Sequence, residues 1–305
     1  MMFSRKESTM SMAETAPDAP REDTEFVRFW NEVLAPKFNR FRHVLQGGLS
    51  YHSEAVIPKL PVRAGDRVLD VGCGWGDTAM KLARIVGPEG EVVAIDCCDA
   101  FLTNAQADLE ATGLTNVTFL RGDAEVALPK GQFDFVFSRF GTMFFANPVA
   151  GLRNMRRALR PGGRVVHIVW RRPADNPWLS MAKDIVLRHL PAPGEDAHTC
   201  GPGPFSMSDE ATGRKMMEVA GYTDIAFERV DAPVRVGDNV KDAIAFQLSI
   251  GPAGEVFREA GELAEKKRSE IETALAEAID AQTRDADGIV MDSSSWVISA
   301  RNPGD

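Results

Sequence analysis

The sequence predicts an α/β fold with a mostly parallel sheet and helices on both faces. Three observations lead there. Between residues 67 and 170, short apolar runs that read as strands alternate with amphipathic runs that read as helices. A glycine-dense turn, Gly72-Cys73-Gly74-Trp75-Gly76, joins the first strand to the first following helix. Aspartates, Asp96 and Asp123, sit at the ends of the next two strands. Strand and helix repeating at this spacing make βαβ units, whose crossovers set strands parallel and cover both faces of the sheet.

The elements follow in order. Residues 1–21 hold Ser, Thr, Glu, Asp and Pro with no long apolar run, so they are expected to be a disordered tail without a signal peptide. Residues 22–60 are expected to form a helical N-terminal cap. Phe26, Phe29, Trp30, Val33 and Leu34 recur at helical spacing, Pro36 should interrupt the run, and Phe38, Phe41, Val44 and Leu45 resume it. Gly47-Gly48 should end it. Strands are expected at Arg67 to Val71, Glu91 to Ile95, Val117 to Leu120, Phe133 to Phe137 and Arg164 to Trp170. Helices are expected at Thr78 to Val86, Ala100 to Ala111 and Pro148 to Leu159, the first two closed by Gly87-Pro88 and Gly113 and the third by Pro161-Gly162-Gly163. Residues 61–171 thus form the core. Residues 172–207, rich in Pro and Gly, read as an insertion with a short helix near Trp178 to His189. Residues 208–305 complete the sheet. Ser208 is the expected cap of a helix to Ala220, Thr223 to Val236 alternates as a strand, residues 239–282 are mostly helical within an insertion ending near 285, and Ser295 to Ala300 is the final strand. The stripe Val256, Phe257, Ala260, Leu263 and Ala264 suits packing against a cap or in a homodimer.

Composition removes several function classes. The chain has 305 residues, 44% of them hydrophobic, enough for one large core. A formal net charge of −9 disfavours nucleic acid as the main partner. The basic cluster Arg153, Arg156, Arg157 and Arg160 reads as the solvated face of a helix. No run reaches the length of a membrane span. Of the four cysteines, Cys97 and Cys98 are adjacent and no disulfide framework is present, which fits the cytoplasm. His198 and Cys200 stand close in a loop, but paired metal ligands such as CxxC are missing, so no metal is expected.

The glycine turn carries the chemistry. Glycines allow the tight turn and let a ligand approach the backbone. A dinucleotide loop wants G-x-G-x-x-G after a strand. Here the third glycine, Gly76, comes one residue early and Asp77 follows it. A carboxylate there can cap the helix but repels a pyrophosphate. The loop therefore suits a nucleoside without phosphates, although a plain strand-to-helix turn would also use these glycines. Asp96 can accept from both ribose hydroxyls, or cap its loop. Asp123 can accept from an adenine amino group while Ala124 donates its backbone N–H, or Asp123 is a turn residue. Open α/β sheets bind ligands at these carboxyl ends.

Read together, Val68-Leu69-Asp70-Val71-Gly72-Cys73-Gly74-Trp75-Gly76, Asp96, Gly122-Asp123-Ala124, Phe133-Asp134-Phe135-Val136-Phe137-Ser138 and Leu159-Arg160-Pro161-Gly162-Gly163 resemble the ordered motifs of class I S-adenosylmethionine-dependent methyltransferases. Arg139-Phe140-Gly141-Thr142-Met143-Phe144-Phe145, Asn176-Pro177-Trp178, Gly203-Pro204-Phe205 and Trp296-Val297-Ile298 are similar to the methyltransferase type 11, ubiquinone/menaquinone-biosynthesis-type branch. The resemblance runs from about residue 25 to 303. It implies a Rossmann-like, seven-stranded sheet. It also implies S-adenosyl-L-methionine as cofactor, and methyl transfer to an O, N, C or S atom of a small molecule. The implied cofactor residues are Asp70, Gly72, Cys73, Gly74, Gly76, Asp96, Cys97, Asp123, Ala124 and Ser138. Phe140, Met143 and Trp178, with Phe144, Phe145 and Phe205, are candidates for an apolar acceptor pocket or for core packing. His52 is the candidate base if one is needed, against an ordinary structural histidine; His43 is the other histidine of that segment and His167 should be buried. No catalytic residue is assigned. The rivals are a binding module that does not turn over, an NAD-dependent oxidoreductase, and a nucleic-acid methyltransferase. The last usually carries Asn/Asp-Pro-Pro-aromatic where Ser138-Arg139-Phe140-Gly141 stands here.

Overall fold

In a computed structural model, residues 23–131, 133–194, 202–285 and 288–304 are described. The expected N-terminal tail and the His198–Cys200 loop lie outside them. The strands are β1 (Arg67–Val71), β2 (Glu91–Asp96), β3 (Val117–Arg121), β4 (Phe133–Arg139), β5 (Leu159–Trp170), β6 (Thr223–Gly237), β7 (Thr283–Asp285) and β8 (Gly288–Arg301). They form one sheet in the order β3-β2-β1-β4-β5-β8-β6, with β7 paired to β8. The pairs joining β1 to β5 are parallel, whereas β8 runs antiparallel to β5, β6 and β7. The expected seven strands are therefore present, in a mixed sheet, with β7 as an eighth. Three residues carry too little periodicity to reveal β7 in the sequence.

Strands β1, β2 and β4 and the part of β5 from Val165 on are buried on both faces, which explains their continuous apolar runs, whereas β3 is the sheet edge and exposes Thr118, Leu120 and Arg121. Val68, Leu69, Ala94, Val136, Phe137, Val165 and Ile168 are at most 4% exposed. Helix α4 (Asp77–Val86) buries Ala79, Leu82, Ala83 and Val86 on one stripe, and α5 (Asp99–Thr112) stops at Gly113 in the left-handed conformation. Helix α6 (Pro148–Ala158) starts with Pro148 after an Asn147 cap that accepts from the Ala150 N–H.

The N-terminal cap differs from expectation. Helix α1 (Glu25–Phe29) runs through a π turn at Trp30–Leu34 into α2 (Ala35–Arg40), so Pro36 sits in a first turn and breaks nothing. Helix α3 (Arg42–Val56) passes straight through Gly47-Gly48. These glycines do not stop the helix. They let it lie on β6, where a Cβ on Gly48 would stand 2.5 Å from the Arg235 carbonyl oxygen.

After β5 come α7 (Pro177–Val186) and α8 (Glu210–Ala220), the latter capped by Asp209 rather than Ser208 because the Asp209 carboxylate accepts from the Thr212 N–H. The expected helical stretch divides into α9 (Val240–Gln247), α10 (Gly251–Glu259) and α11 (Glu262–Asp280). Gly261, at φ 52°, separates the last two and splits the stripe: Val256, Phe257 and Ala264 are buried within the chain, while Leu263 is exposed. In the arginine cluster Arg157 and Arg160 are exposed, as a solvated face requires, while Arg153 and Arg156 are half-buried. Arg153 and Arg156 donate to the Val219 and Ala220 carbonyls, tying α6 to the end of α8.

Candidate active site

The strand order reverses between β1 and β4, and an open cleft, about 1650 Å3 of empty space with adjoining solvent included, lies at their carboxyl ends. This switch point is where open α/β sheets bind ligands. Gly72, Cys73 and Gly74 form the floor. Gly72 and Gly74 have φ of 69° and 54°, a region costly for other residues. A Cβ on Gly72 would press on the Gly141 Cα at 3.2 Å, whereas one on Gly74 would meet nothing within 4 Å. The first glycine lets the β1 and β4 turns touch; the second leaves open space for a ligand. The Gly72 and Cys73 amides both donate to the Ile95 carbonyl, which fixes the turn to β2.

Asp96 ends β2 on the cleft wall. Its two oxygens accept from the Gly74 and Cys98 N–H groups, each at 2.9 Å. The Cys98 thiol and the Cys97 amide also reach this carboxylate, which has about four lone-pair sites to share among these donors and a ligand. Burial raises its carboxyl above the usual range, and these amides oppose the shift. Cys97, Gly122, Asp123, Ala124 and Glu125 continue the wall. Asp123 accepts from the Glu125 N–H at 2.8 Å. The acidic and small residues expected around the nucleoside are thus gathered on one side.

The opposite side is aromatic. Phe140 stacks on Trp170 at 3.8 Å between centroids, and Trp170 meets Trp178 edge-on at 5.1 Å. Phe140, at φ 55°, holds a strained backbone that places its ring there. Met143, Phe144 and Phe145 line the same cleft, with Pro204 rather than Phe205 from the insertion. The N-terminal cap supplies Phe26, Trp30, Phe38 and Leu45, which the sequence marked only as a helical stripe, and Leu49, which it did not mark. Two asparagines with no sequence signal hold it down. Asn31 donates to the Cys97 carbonyl, and Asn39 accepts from the Trp75 ring N–H. Lys37, Glu255 and Arg258 add charged groups to the wall.

Four expected residues lie behind the wall. Asp70 is fully buried and accepts from the Thr78 hydroxyl at 2.6 Å; burial pushes its carboxyl up to about 7. Gly76 is needed for packing, since a Cβ there would stand 2.5 Å from the Phe119 ring. Ser138 is fully buried on β4, and its neighbours Arg139, Phe140 and Gly141 reach the cleft instead. Asp77 caps no backbone group among the described residues; it pairs with Arg139, a residue the sequence reading did not single out.

His52 is the fourth, and it is unsuited to act as a base. It lies behind the Phe140–Trp170 stack with both rings edge-on to it. Ser293 donates to the Ala232 carbonyl, so its oxygen takes the His52 Nε2–H at 2.7 Å. Nδ1 then accepts from the Ser295 hydroxyl at 2.9 Å. This wiring fits a neutral ring, and burial lowers its pKa to about 4. His43 points to Asp242 on the surface, and His167 is buried against Thr142. Because the folded pKa of His52 lies below the ordinary 6.5, its contribution to stability is complete above pH 6.5 and is lost as pH falls toward 4. Acidification from pH 7 to 5 should therefore destabilise the protein by about 2 kcal/mol through His52. Denaturant titrations of the parent and His52→Gln at both pH values check this; an equal pH response in both would refute it.

A methyltransferase-domain family model matches residues 68–163, from β1 through the turn into β5. The ubiquinone/menaquinone biosynthesis C-methyltransferase UbiE of Pseudomonas putida is 32% identical over 212 residues, spanning 66% of this chain and 82% of the relative. The chain belongs to the UbiE-type S-adenosylmethionine-dependent methyltransferases. A UbiE of Ectopseudomonas mendocina is 38% identical over 154 residues, covering 50% of this methyltransferase and 60% of the relative. The fold is also that of phosphoethanolamine N-methyltransferase 2 of Haemonchus contortus, solved with S-adenosylhomocysteine, at TM-score 0.52 and 16% identity over 93% of this chain and 62% of that one. The methyltransferase is an enzyme using S-adenosyl-L-methionine, and no helix among its described residues is long and apolar enough to cross a membrane.

Proposed function

We propose that this enzyme methylates a flat, apolar aromatic small molecule held between the Phe140–Trp170–Trp178 wall and the N-terminal cap. The supporting observation is the division of the cleft into an acidic, glycine-lined side and an aromatic side. S-adenosyl-L-methionine supplies a methyl group on a sulfonium sulfur. The chain fits such a nucleoside: Gly74 leaves room over its backbone, the Asp96 carboxylate on the wall would accept from ribose, and Asp123 with the Ala124 amide would hold adenine. Cys73 and Cys97 border the same side, and Met143 and Trp178 border the acceptor.

Transfer is an in-line displacement, so alignment of acceptor and sulfonium can supply much of the rate. The aromatic wall orients a planar acceptor by stacking and keeps water from the sulfonium. The names of the relatives point to carbon methylation on a quinone precursor, which fits a planar apolar ring. Cytoplasmic location and a partner set without nucleic acid belong to the same reading.

Turnover is tested by following S-adenosylhomocysteine release with a panel of quinols, phenols, aliphatic amines and aliphatic thiols. Quinols or phenols should be consumed at least tenfold faster than the aliphatic compounds. Preference for an aliphatic amine, with aromatic compounds inert, would overturn the acceptor class.

A further inference from the structure

Arg139 ends β4 on the cleft wall with its side chain only 9% exposed. A guanidinium carries five N–H bonds on three edges. Asp77 occupies the far edge with two bonds of 2.8 Å, one from Nη1 and one from Nη2. The other Nη1 hydrogen goes to the Ser53 hydroxyl at 2.9 Å. What remains is Nε–H and the second Nη2–H. These two point the same way, side by side, and meet no acceptor among the described residues. The orientation is rigid, because Asp77 is only 12% exposed and opens α4, while Ser53 is buried on α3.

We propose that Arg139 is a carboxylate-binding residue of this cleft, its free edge donating two parallel hydrogen bonds to one ligand carboxylate. A planar carboxylate matches that edge in spacing and plane. Asp77 already balances the guanidinium charge, and Asp96, Asp123 and Glu125 share the wall, so a singly charged carboxylate is favoured over a doubly charged phosphate. The carboxylate comes either from the methionine arm of the cofactor or from the acceptor. The first source rests on the cofactor-site reading given above.

Removing Arg139 alone strands the buried Asp77 charge, so the test uses the double variant Arg139→Gln/Asp77→Asn, which removes both. Calorimetry compares S-adenosylhomocysteine with 5′-methylthioadenosine, which shares the nucleoside and lacks the carboxylate. It also compares 4-hydroxybenzoate with phenol. A loss of tenfold or more for S-adenosylhomocysteine, with methylthioadenosine unchanged, supports the proposal and assigns the methionine arm. A tenfold loss confined to 4-hydroxybenzoate supports it and assigns the acceptor. Equal losses within each pair, or no loss at all, overturn it. If the parent protein bound neither nucleoside, the cofactor-site reading would fail separately, and the benzoate pair would still decide Arg139.

Discussion

Gly48→Ala is expected to destabilise the protein by about 2 kcal/mol, against the sign that helix propensity suggests. In the middle of a helix, alanine is worth up to about 1 kcal/mol more than glycine. Overpacking a closed contact costs about 1–3 kcal/mol. At Gly48 the upper part of that range applies. The new Cβ would lie 2.5 Å from the Arg235 carbonyl oxygen and 3.2 Å from its nitrogen, and neither backbone atom can move without shifting β6. The neighbouring position serves as the control. A Cβ on Gly47 would meet only the end of the Arg235 side chain, at 3.0 Å. That side chain can give way, so Gly47→Ala should be neutral or stabilising by up to about 1 kcal/mol. Urea titrations with a constant slope read both values. Equal stabilisation by both changes would refute the close approach of α3 to β6. The same approach sets the depth of Leu45 and Leu49 in the cleft, so Gly48→Ala should also raise the acceptor KM.

Asp96→Ala is expected to weaken S-adenosylhomocysteine binding at least tenfold, about 1.4 kcal/mol. Two losses combine. One is the proposed contact to the ribose hydroxyls. The other is the support of the loop, since Gly74 and Cys98 would lose the oxygens that accept their amides. A buried amide without an acceptor costs about 1–3 kcal/mol, so the loss can exceed the tenfold bound. Methylthioadenosine should weaken in step, because it carries the same ribose. That separates Asp96 from Arg139, whose loss should leave methylthioadenosine binding unchanged. Unchanged affinity in a folded Asp96→Ala protein would refute the ribose role.

Much of this was legible in the residues because it is local. A strand before Gly72 and a helix after Gly76 can be read from periodicity, and Asp96 and Asp123 follow from where strands end. The errors have a common origin. Gly47-Gly48 looked like a helix stop because glycine is a poor helix former, yet the deciding contact is with Arg235, far along the chain. Arg153 and Arg156 looked solvated because their carbonyl partners belong to α8. His52 looked available because nothing near it in sequence announces Ser293 and Ser295.

The glycine turn, the strand-ending acids and the βαβ alternation are properties of neighbouring residues, so the sequence by itself determined the fold class and a site for a phosphate-free nucleoside, and the resemblance of its motifs to methyltransferases implied which one. Which side chains face the ligand was decided only by tertiary structure. Successive residues of a strand leave opposite faces, so a single step separates buried Ser138 from Arg139 on the wall. Whether Arg139 then offers an edge to a ligand depends on Asp77 and Ser53, brought to it from two other elements by packing of the whole core.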